Sequence, residues 1–374
     1  MKQENEIHCI SGSRREFLRR AMQGASGLAV ISLFDQEAIA QSNLFTNPPE
    51  LTHAGGTLKA VVQLSDAMRN VPNAGQVRLR MFQGWDLSKT SSSAAPAPAN
   101  AGPGPTLRTR VGGRMNIMLL NRIDDTQFSY TLDTTTTNAN ACDASGVNPT
   151  AGSGPTYPFV DVWPNCFHGS STSNLHFHGT HTSPNGLGDN VLVQVIPDQS
   201  TSQAEWNLIF AEIFNRPTPP ASWAEMPESY QVKQLGYTVQ QFQEAARAGK
   251  KLAPAGLVVR YDTEQAAKAK RDGRTPPGSL WDWDVTQVLG RQWPQYIVGA
   301  FPNVVLLPSY PRPGLQAGQA PGTHWYHAHK HGSTSLHIFN GLAGAIIVEG
   351  DYDTRIRQFF QKQMPAGSRF RENV

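Results

Sequence analysis

Short segments of alternating apolar and polar residues, separated by loops rich in glycine, proline and serine, run through the chain. Between positions 76 and 82, Val77, Leu79 and Met81 face one side while Arg78 and Arg80 face the other, which predicts a β-strand. Further strand-like segments occupy 57–64, 106–111, 114–121, 174–179, 190–195, 205–213, 322–329 and 342–349. We therefore predict an all-β chain in which the strands of an antiparallel β-sandwich are joined by turns and long loops.

The composition fits this prediction. Only 16% of the residues are charged, against about 25% in an ordinary soluble domain, and the 374 residues include 33 glycines and 27 prolines. These values exclude a coiled coil, a charge-rich disordered chain and a simple helical bundle. The formal net charge of +3, without a stripe of lysine and arginine, gives no reason to expect a nucleic-acid partner. No apolar run reaches the roughly 18 residues of a membrane span, and three cysteines are too few for a disulfide scaffold.

Two parts of the chain depart from the strand pattern. Residues 216–295 contain two stretches of helix-forming residues, 238–252 and 263–271, between proline-rich joints. We predict that 216–295 is an insertion with short helices. The polar and basic residues 353–374 are typical of a linker-like tail.

The amino-terminal residues have the order of features found in an export signal. The sequence SRREFLRR at 13–20 precedes a weakly apolar stretch, and AIA at 38–40 has the small-x-small pattern that signal peptidase accepts. This order resembles a twin-arginine signal over 1–40, which implies a periplasmic or otherwise exported protein cleaved near Ala40; a basic disordered tail is the alternative. After cleavage Cys142 and Cys166 remain, and they either form a disulfide in an oxidising compartment or stay free thiols.

Most of the eleven histidines fall in two clusters, each with a His-x-His pair. His176 and His178 lie in LHFHGTH at 175–181, and His327 and His329 lie in THWYHAHKHG at 323–332. On a strand, residues i and i+2 face the same side, with backbones roughly 6–7 Å apart. Two such imidazoles can straddle one metal ion or reach two, and imidazole suits copper, zinc, iron and nickel. Two pairs, each beside an aromatic residue and a glycine, indicate a metal site rather than incidental strand histidines.

The motifs around these pairs resemble those of the laccase-like multicopper oxidases, specifically their amino-terminal cupredoxin domain. The matching segments are LHFHG at 175–179, GDN at 188–190, GTHWYHAH at 322–329, GPGPTLR at 102–108, NR at 121–122 and NGLAG at 340–344. The resemblance covers roughly 57–215 and 295–352. It implies a Greek-key cupredoxin (plastocyanin-like) β-sandwich formed by 41–215 and 296–352, with long loops and the partly helical insertion between the two parts.

The resemblance also implies roles for particular residues. His176 would bind a type 2 copper, while His178, His327 and His329 would bind a type 3 copper pair. Asp189 would be the catalytic acid that helps to protonate reduced oxygen, with a turn residue as the alternative. Six other histidines receive structural or supporting roles: His181, His324 and His331 near the site, and His53, His168 and His337 elsewhere.

The resemblance is incomplete, however. The family's trinuclear cluster needs four His-x-His pairs, and this sequence contains two. The other two pairs and the type 1 copper, held by a cysteine flanked by histidines, belong to the last cupredoxin domain of the family. No His-Cys-His segment occurs here, and Cys166 lacks the required ligand spacing. We therefore expect half of a copper cluster, a missing carboxy-terminal cupredoxin domain as a partner, and little or no four-electron reduction of dioxygen by this chain alone.

Three functions remain open at this point. The chain is the first-domain portion of a laccase-like oxidase, or an exported copper-binding cupredoxin that sequesters metal without turnover, or a zinc hydrolase using the same histidines. The hydrolase is disfavoured because no glutamate lies between the pairs as a general base and no His-Glu-x-x-His segment occurs. For an oxidase, phenols, aromatic amines, cuprous ion and manganous ion are all compatible reducing substrates.

Overall fold

The computed structural model describes eleven stretches of the chain: 48–71, 73–87, 103–128, 171–181, 184, 186–250, 252–253, 255–273, 297–309, 318–330 and 333–365. All of them lie within the unit Pro48–Val374. The predicted export signal, Cys142, Cys166, His168 and His331 lie outside the described residues. The predictions made for them stay predictions.

The described residues contain eleven strands. They are β1 (Glu50–Thr52), β2 (Thr57–Val71), β3 (Gly75–Asp86), β4 (Thr106–Arg110), β5 (Arg114–Asn121), β6 (His176–His178), β7 (Gln194–Val195), β8 (Ile297–Val298), β9 (Ala300–Leu306), β10 (Gly322–His327) and β11 (Ala343–Glu349). The predicted strands therefore form, apart from the one at 205–213. The segments predicted at 174–179 and 190–195 are reduced to the short strands β6 and β7.

The strands form two larger sheets and one small pair. One sheet has the order β1-β4-β11-β10-β6, the other has the order β3-β2-β5-β9, and β7 pairs with β8. Both larger sheets are mixed: β1–β4, β4–β11 and β2–β5 are parallel, whereas β2–β3, β5–β9, β10–β11 and β10–β6 are antiparallel. The prediction of a purely antiparallel sandwich is wrong for these three parallel pairs and for β7–β8, which is parallel as well, because strands joined by long connections can align in either direction.

Six α-helices also occur in the described residues. They are α1 (Gln203–Phe214), α2 (Glu228–Leu235), α3 (Val239–Arg247), α4 (Gly256–Arg271), α5 (Thr334–Asn340) and α6 (Asp351–Gln363). The prediction of an all-β chain with helices only in the insertion is therefore too narrow. Helices α2, α3 and α4 lie within 216–295, where helices were expected, whereas α1, α5 and α6 lie outside it. None of the residues of α6, in the segment predicted to be linker-like, is buried. Among the described residues, no helix combines the length and apolar character that crossing a bilayer requires.

Helix α1 replaces the strand predicted at 205–213, which is a correction. Ser202 begins the helix, since its side chain accepts a hydrogen bond from the Glu205 amide. Trp206, Phe210 and Phe214 then recur every four residues and are buried on one face. The apolar residues of this segment recur with the period of a helix. Their large number suggests a buried strand only if their spacing is not considered.

One apolar core joins both larger sheets and helices α1 to α4. It includes Leu107 of β4 and Val61 of β2, one from each sheet, together with Trp206 of α1 and Tyr230 of α2. The described part of the segment predicted as an insertion therefore packs into the core of the sandwich. Tyr230 also donates a hydrogen bond to the Ala300 carbonyl (2.9 Å), which attaches α2 to β9.

Strand β10 is anchored by Tyr326, whose ring fills the space between the sheets. The ring is fully buried, and its hydroxyl donates to the Pro105 carbonyl at 2.7 Å. It lies directly over Gly344 of β11, so that a Cβ at that position would be 2.4 Å from the ring. Only glycine leaves room for this close approach of side chain to backbone.

We expect Gly344→Ala to lower the free energy of unfolding by about 1–3 kcal/mol, because the added methyl group overpacks the contact with Tyr326. Urea denaturation of the purified chain measures this change. Ala345→Ser, at the half-buried neighbouring position on β11, is the control and should change stability much less. Equal stability of Gly344→Ala and the unmodified chain would contradict the packing described here.

Candidate metal centre

The pairing of β6 with β10 brings the two His-x-His pairs together. In this antiparallel ladder His176 lies opposite His327, Phe177 opposite Tyr326, and His178 opposite Trp325. Because side chains alternate along a strand, the three histidines share one face of the sheet, whereas Phe177 and Tyr326 point into the core. His329 follows the end of β10 by two residues.

The four imidazoles form a compact group. Ring centroids are 5.3 Å apart for His176 and His178, 5.1 Å for His176 and His327, 5.2 Å for His176 and His329, and 5.7 Å for His327 and His329. One nitrogen each from His176, His178 and His327 lies within 4.8 Å of the others, which is a three-ligand arrangement. His329 borders this set without belonging to it.

Hydrogen bonds select the nitrogen that His176 offers. Its Nδ1 lies 3.0 Å and 2.8 Å from the two carboxylate oxygens of Asp189, and it donates to this carboxylate. The same carboxylate accepts a bond from the Phe177 amide at 2.9 Å. With Nδ1 protonated, the lone pair is on Nε2, so Asp189 fixes both the tautomer and the ring orientation of His176.

The tautomer of His327 is fixed in the same way, by a backbone carbonyl. Its Nδ1 donates to the Ala328 carbonyl at 2.9 Å, which leaves the lone pair on Nε2. Burial lowers the pKa of His327 below its ordinary value, and the neighbouring histidines lower it further, although the bond to Ala328 opposes the shift. The imidazole therefore stays neutral, and able to bind a metal, at lower pH than an ordinary histidine.

The separation of donor nitrogens fits a metal ion. His327 Nε2 lies 3.4 Å from His178 Nδ1. Two nitrogens bound at about 2.0–2.1 Å to one tetrahedral ion are about 3.3 Å apart. The three clustered donors are all imidazole nitrogens, which suit copper, zinc, iron or nickel and not calcium or magnesium, and copper(II) has the highest affinity in this series.

Trp325 covers one side of the group. Its indole stacks on His327 with centroids 4.0 Å apart and on His178 at 5.2 Å, with interplanar angles of 27° and 30°. The ring is 37% exposed, whereas Phe177 and Tyr326 are fully buried. Of these three aromatic residues, which sequence alone could not assign to surface or core, only Trp325 borders the site.

The remaining histidines described in the structure do not join the cluster. His324, on the core-facing side of β10, lies against Gly179 and bonds the Ala320 carbonyl through Nε2 at 3.1 Å. His181 is exposed, and its amide donates to Gln319. His53 accepts a bond from the Gly56 amide, and His337 is buried beside Ser173.

Sequence reasoning missed one residue that organises the site. Asn174 is buried, and its carboxamide bonds the backbone of both His329 and Val191. Its position two residues before the first His-x-His pair was the available signal, since the antiparallel register places it opposite His329.

Comparison with known proteins gives a structural likeness. No family model and no curated protein matches the chain. Solved structures do match, among them the multi-copper oxidase from Pediococcus acidilactici, with 8% identity and a TM-score of 0.33 over 83% of this chain and 30% of that one. A multicopper oxidase from Campylobacter jejuni, described as a metallo-oxidase, has 11% identity and a TM-score of 0.29 over 82% of this chain and 29% of that one. McoA multicopper oxidase from Aquifex aeolicus has 10% identity and a TM-score of 0.27 over 84% and 32%.

The chain resembles the multicopper oxidases. It spans about a third of the length of these matched multicopper oxidases, between 29% and 32%. At identities of 8–11%, the likeness does not extend to individual residues. The chemistry of the site must therefore be inferred from the histidines themselves.

We expect Asp189→Asn to weaken copper(II) binding by about 10–100-fold, the usual effect of removing a carboxylate that orients a metal-bound histidine. Titration in competition with a chelator of known affinity measures the change. Asp66→Asn, which removes a buried carboxylate of β2 paired with Arg78, is the matched control and should leave copper affinity unchanged. Wild-type affinity in Asp189→Asn would show that the carboxylate does not support a ligand.

The lowered pKa of His327 predicts how stability depends on pH. Because the unfolded chain binds this proton more readily than the folded one, His327 contributes stability above the unfolded pKa, and this contribution is lost as pH falls. NMR titration of the metal-free chain should place the His327 midpoint below the ordinary value of about 6.5. Urea denaturation at pH 7 and pH 5 should show a smaller difference for His327→Gln than for the unmodified chain. A midpoint at or above the ordinary value would contradict this assignment.

Proposed function

We propose that the chain binds copper through His176, His178, His327 and His329 as the first-domain portion of a laccase-like multicopper oxidase. The observation that carries the proposal is the convergence of the two His-x-His pairs, three of whose histidines lie on β6 and β10 and have donor nitrogens within 4.8 Å of one another. The matched tautomers of His176 and His327 support it, since both imidazoles keep Nε2 available. The four histidines would supply half of a trinuclear cluster.

The ligands divide between two kinds of copper in this proposal. His176, held by Asp189, binds the type 2 ion, while His178, His327 and His329 bind the type 3 pair. Copper bound at these positions would supply one-electron redox chemistry and open coordination positions for dioxygen. Asp189, half-buried beside His176, would pass protons to reduced oxygen and so serve as the catalytic acid of the site.

The rest of the cluster must come from another domain. A carboxy-terminal cupredoxin domain would supply the remaining histidines and the type 1 copper, through which electrons from the reducing substrate enter. Its natural contact surface is the exposed edge formed by His178, His329 and Trp325. On this proposal the two mixed sheets are the Greek-key cupredoxin sandwich of the first domain. The twin-arginine pattern at 1–40, with cleavage near Ala40, supports folding before export to the periplasm.

A second candidate is an exported copper-binding protein that sequesters metal without turnover. It is favoured by the lack of any His-Cys-His segment in this sequence, since such a segment would form the electron entry site. A reading frame downstream that encodes His-Cys-His would support the oxidase, and its absence would support sequestration.

Copper loading of the purified chain tests the common part of both proposals. We expect one or two copper ions per chain, no intense blue absorption from a copper thiolate, and little or no oxygen consumption with a phenol. His176→Ala and His327→Ala should lower the copper content, whereas His53→Ala, a histidine outside the cluster, should not. An intense blue band would overturn the assignment of a site without type 1 copper. Unchanged copper content in both cluster variants would overturn the copper site itself.

A further inference from the structure

The regular pairing of β6 with β10 ends at His176 and His327. Continuing the same antiparallel register by two residues places Asn174 opposite His329. His329 is a member of the histidine cluster, yet it lies beyond the last residue pair of the ladder. Its backbone therefore needs another partner to hold the side chain toward His176 and His327.

The side chain of Asn174 pairs with the His329 backbone, as a residue of a neighbouring strand would. Its Oδ1 accepts a hydrogen bond from the His329 amide at 2.7 Å, and its Nδ2 lies 3.4 Å from the His329 carbonyl. One carboxamide thus meets both backbone groups that a partner residue in a sheet would meet. A carboxamide suits this role because it carries a donor and an acceptor in the geometry of a peptide group.

The same carboxamide reaches a third segment. Nδ2 of Asn174 donates to the Val191 carbonyl at 2.6 Å. Val191 lies two residues after Asp189, whose carboxylate holds His176. Asn174 therefore connects the start of the first His-x-His pair, the end of the second pair and the loop that carries the acid. It is 1% exposed, so water cannot replace these bonds.

We infer that Asn174 is a positioning residue that fixes His329 and the Asp189 loop in the geometry required for copper binding. This inference rests on the proposed copper site, but the position of the His329 backbone can also be tested without metal. Asn174 contacts no reacting atom and acts through the two segments that it connects.

Two substitutions separate the functions of the carboxamide. Asn174→Asp keeps an acceptor for the His329 amide and replaces the donor by an oxygen that faces the carbonyls of Val191 and His329. Asn174→Leu removes donor and acceptor together. Asn116→Leu is the matched control, because Asn116 is also 1% exposed and bonds the backbone of Phe214, away from the cluster.

Hydrogen exchange of the metal-free chain reports on the His329 amide directly. We expect exchange at this amide to be at least ten-fold faster in Asn174→Leu, whereas Asn174→Asp and Asn116→Leu should keep it slow. If Asn174 only stabilised the fold, exchange would instead be faster in Asn174→Asp than in Asn174→Leu, because a buried carboxylate destabilises a fold more than leucine does. Slow exchange in Asn174→Leu, or fast exchange in Asn174→Asp alone, would overturn the inference.

A double-mutant cycle tests the link to copper. We expect Asn174→Leu to weaken copper(II) binding at least ten-fold, and His329→Ala to weaken it less than two-fold further in that background. The control Asn116→Leu should leave the affinity unchanged. If the double variant weakens copper binding by the product of the two single-variant factors, Asn174 does not act through His329.

The two measurements also separate this inference from the proposed function. If the unmodified chain binds no copper, the proposed function fails, while the exchange data still decide whether Asn174 positions His329. If copper binds and both Asn174 variants match the unmodified chain in affinity and exchange, only the inference on Asn174 fails.

Discussion

The register of β6 against β10 is the constraint on which the rest of the site depends. It places His176, His178 and His327 on one face, and Phe177 and Tyr326 on the other, inside the core. A slip of one residue would exchange the two faces and expose both aromatic rings. Burial of each ring contributes roughly 1.5–3 kcal/mol, so the apolar core itself holds the register. The geometry of the histidines is thus enforced by side chains that never touch a ligand.

The polar contacts around the histidines depend on the second sheet as well. Asp189 lies on a loop whose neighbours Leu187 and Gly188 are bonded to β9: the Val304 amide donates to the Leu187 carbonyl at 2.6 Å, and Asn303 donates to the Gly188 carbonyl at 3.3 Å. The acid is therefore positioned by one sheet and the histidines by the other. Both sheets must pack correctly before the bond between Asp189 and His176 can form.

Much of the fold could be predicted from the sequence, because alternating residues such as those of β3 indicate a strand wherever one face is buried. The two His-x-His pairs indicated a metal site because equal spacing implied a shared face. Strand direction could not be predicted, since parallel pairs such as β2–β5 depend on connections distant in sequence. Helix α1 was missed because the density of apolar residues concealed their helical spacing. That Asp189 belongs to the site was expected from the family resemblance and not from spacing, whereas its bond to His176 was not predicted. The role of Asn174 could not be predicted because it depends on the register of β6 against β10.

The helical segment has a structural role that follows from these contacts. Gln234 of α2 accepts a bond from the Gly299 amide at 2.8 Å, and Tyr230 bonds Ala300, so α2 holds the chain where β9 begins. Strand β9 in turn holds the loop of Asp189. Because α2, α3 and α4 of the insertion share the apolar core with the sheets, the insertion cannot loosen without disturbing this strand. The described residues of the insertion lie outside the histidine cluster, yet they support the position of Asp189 beside it.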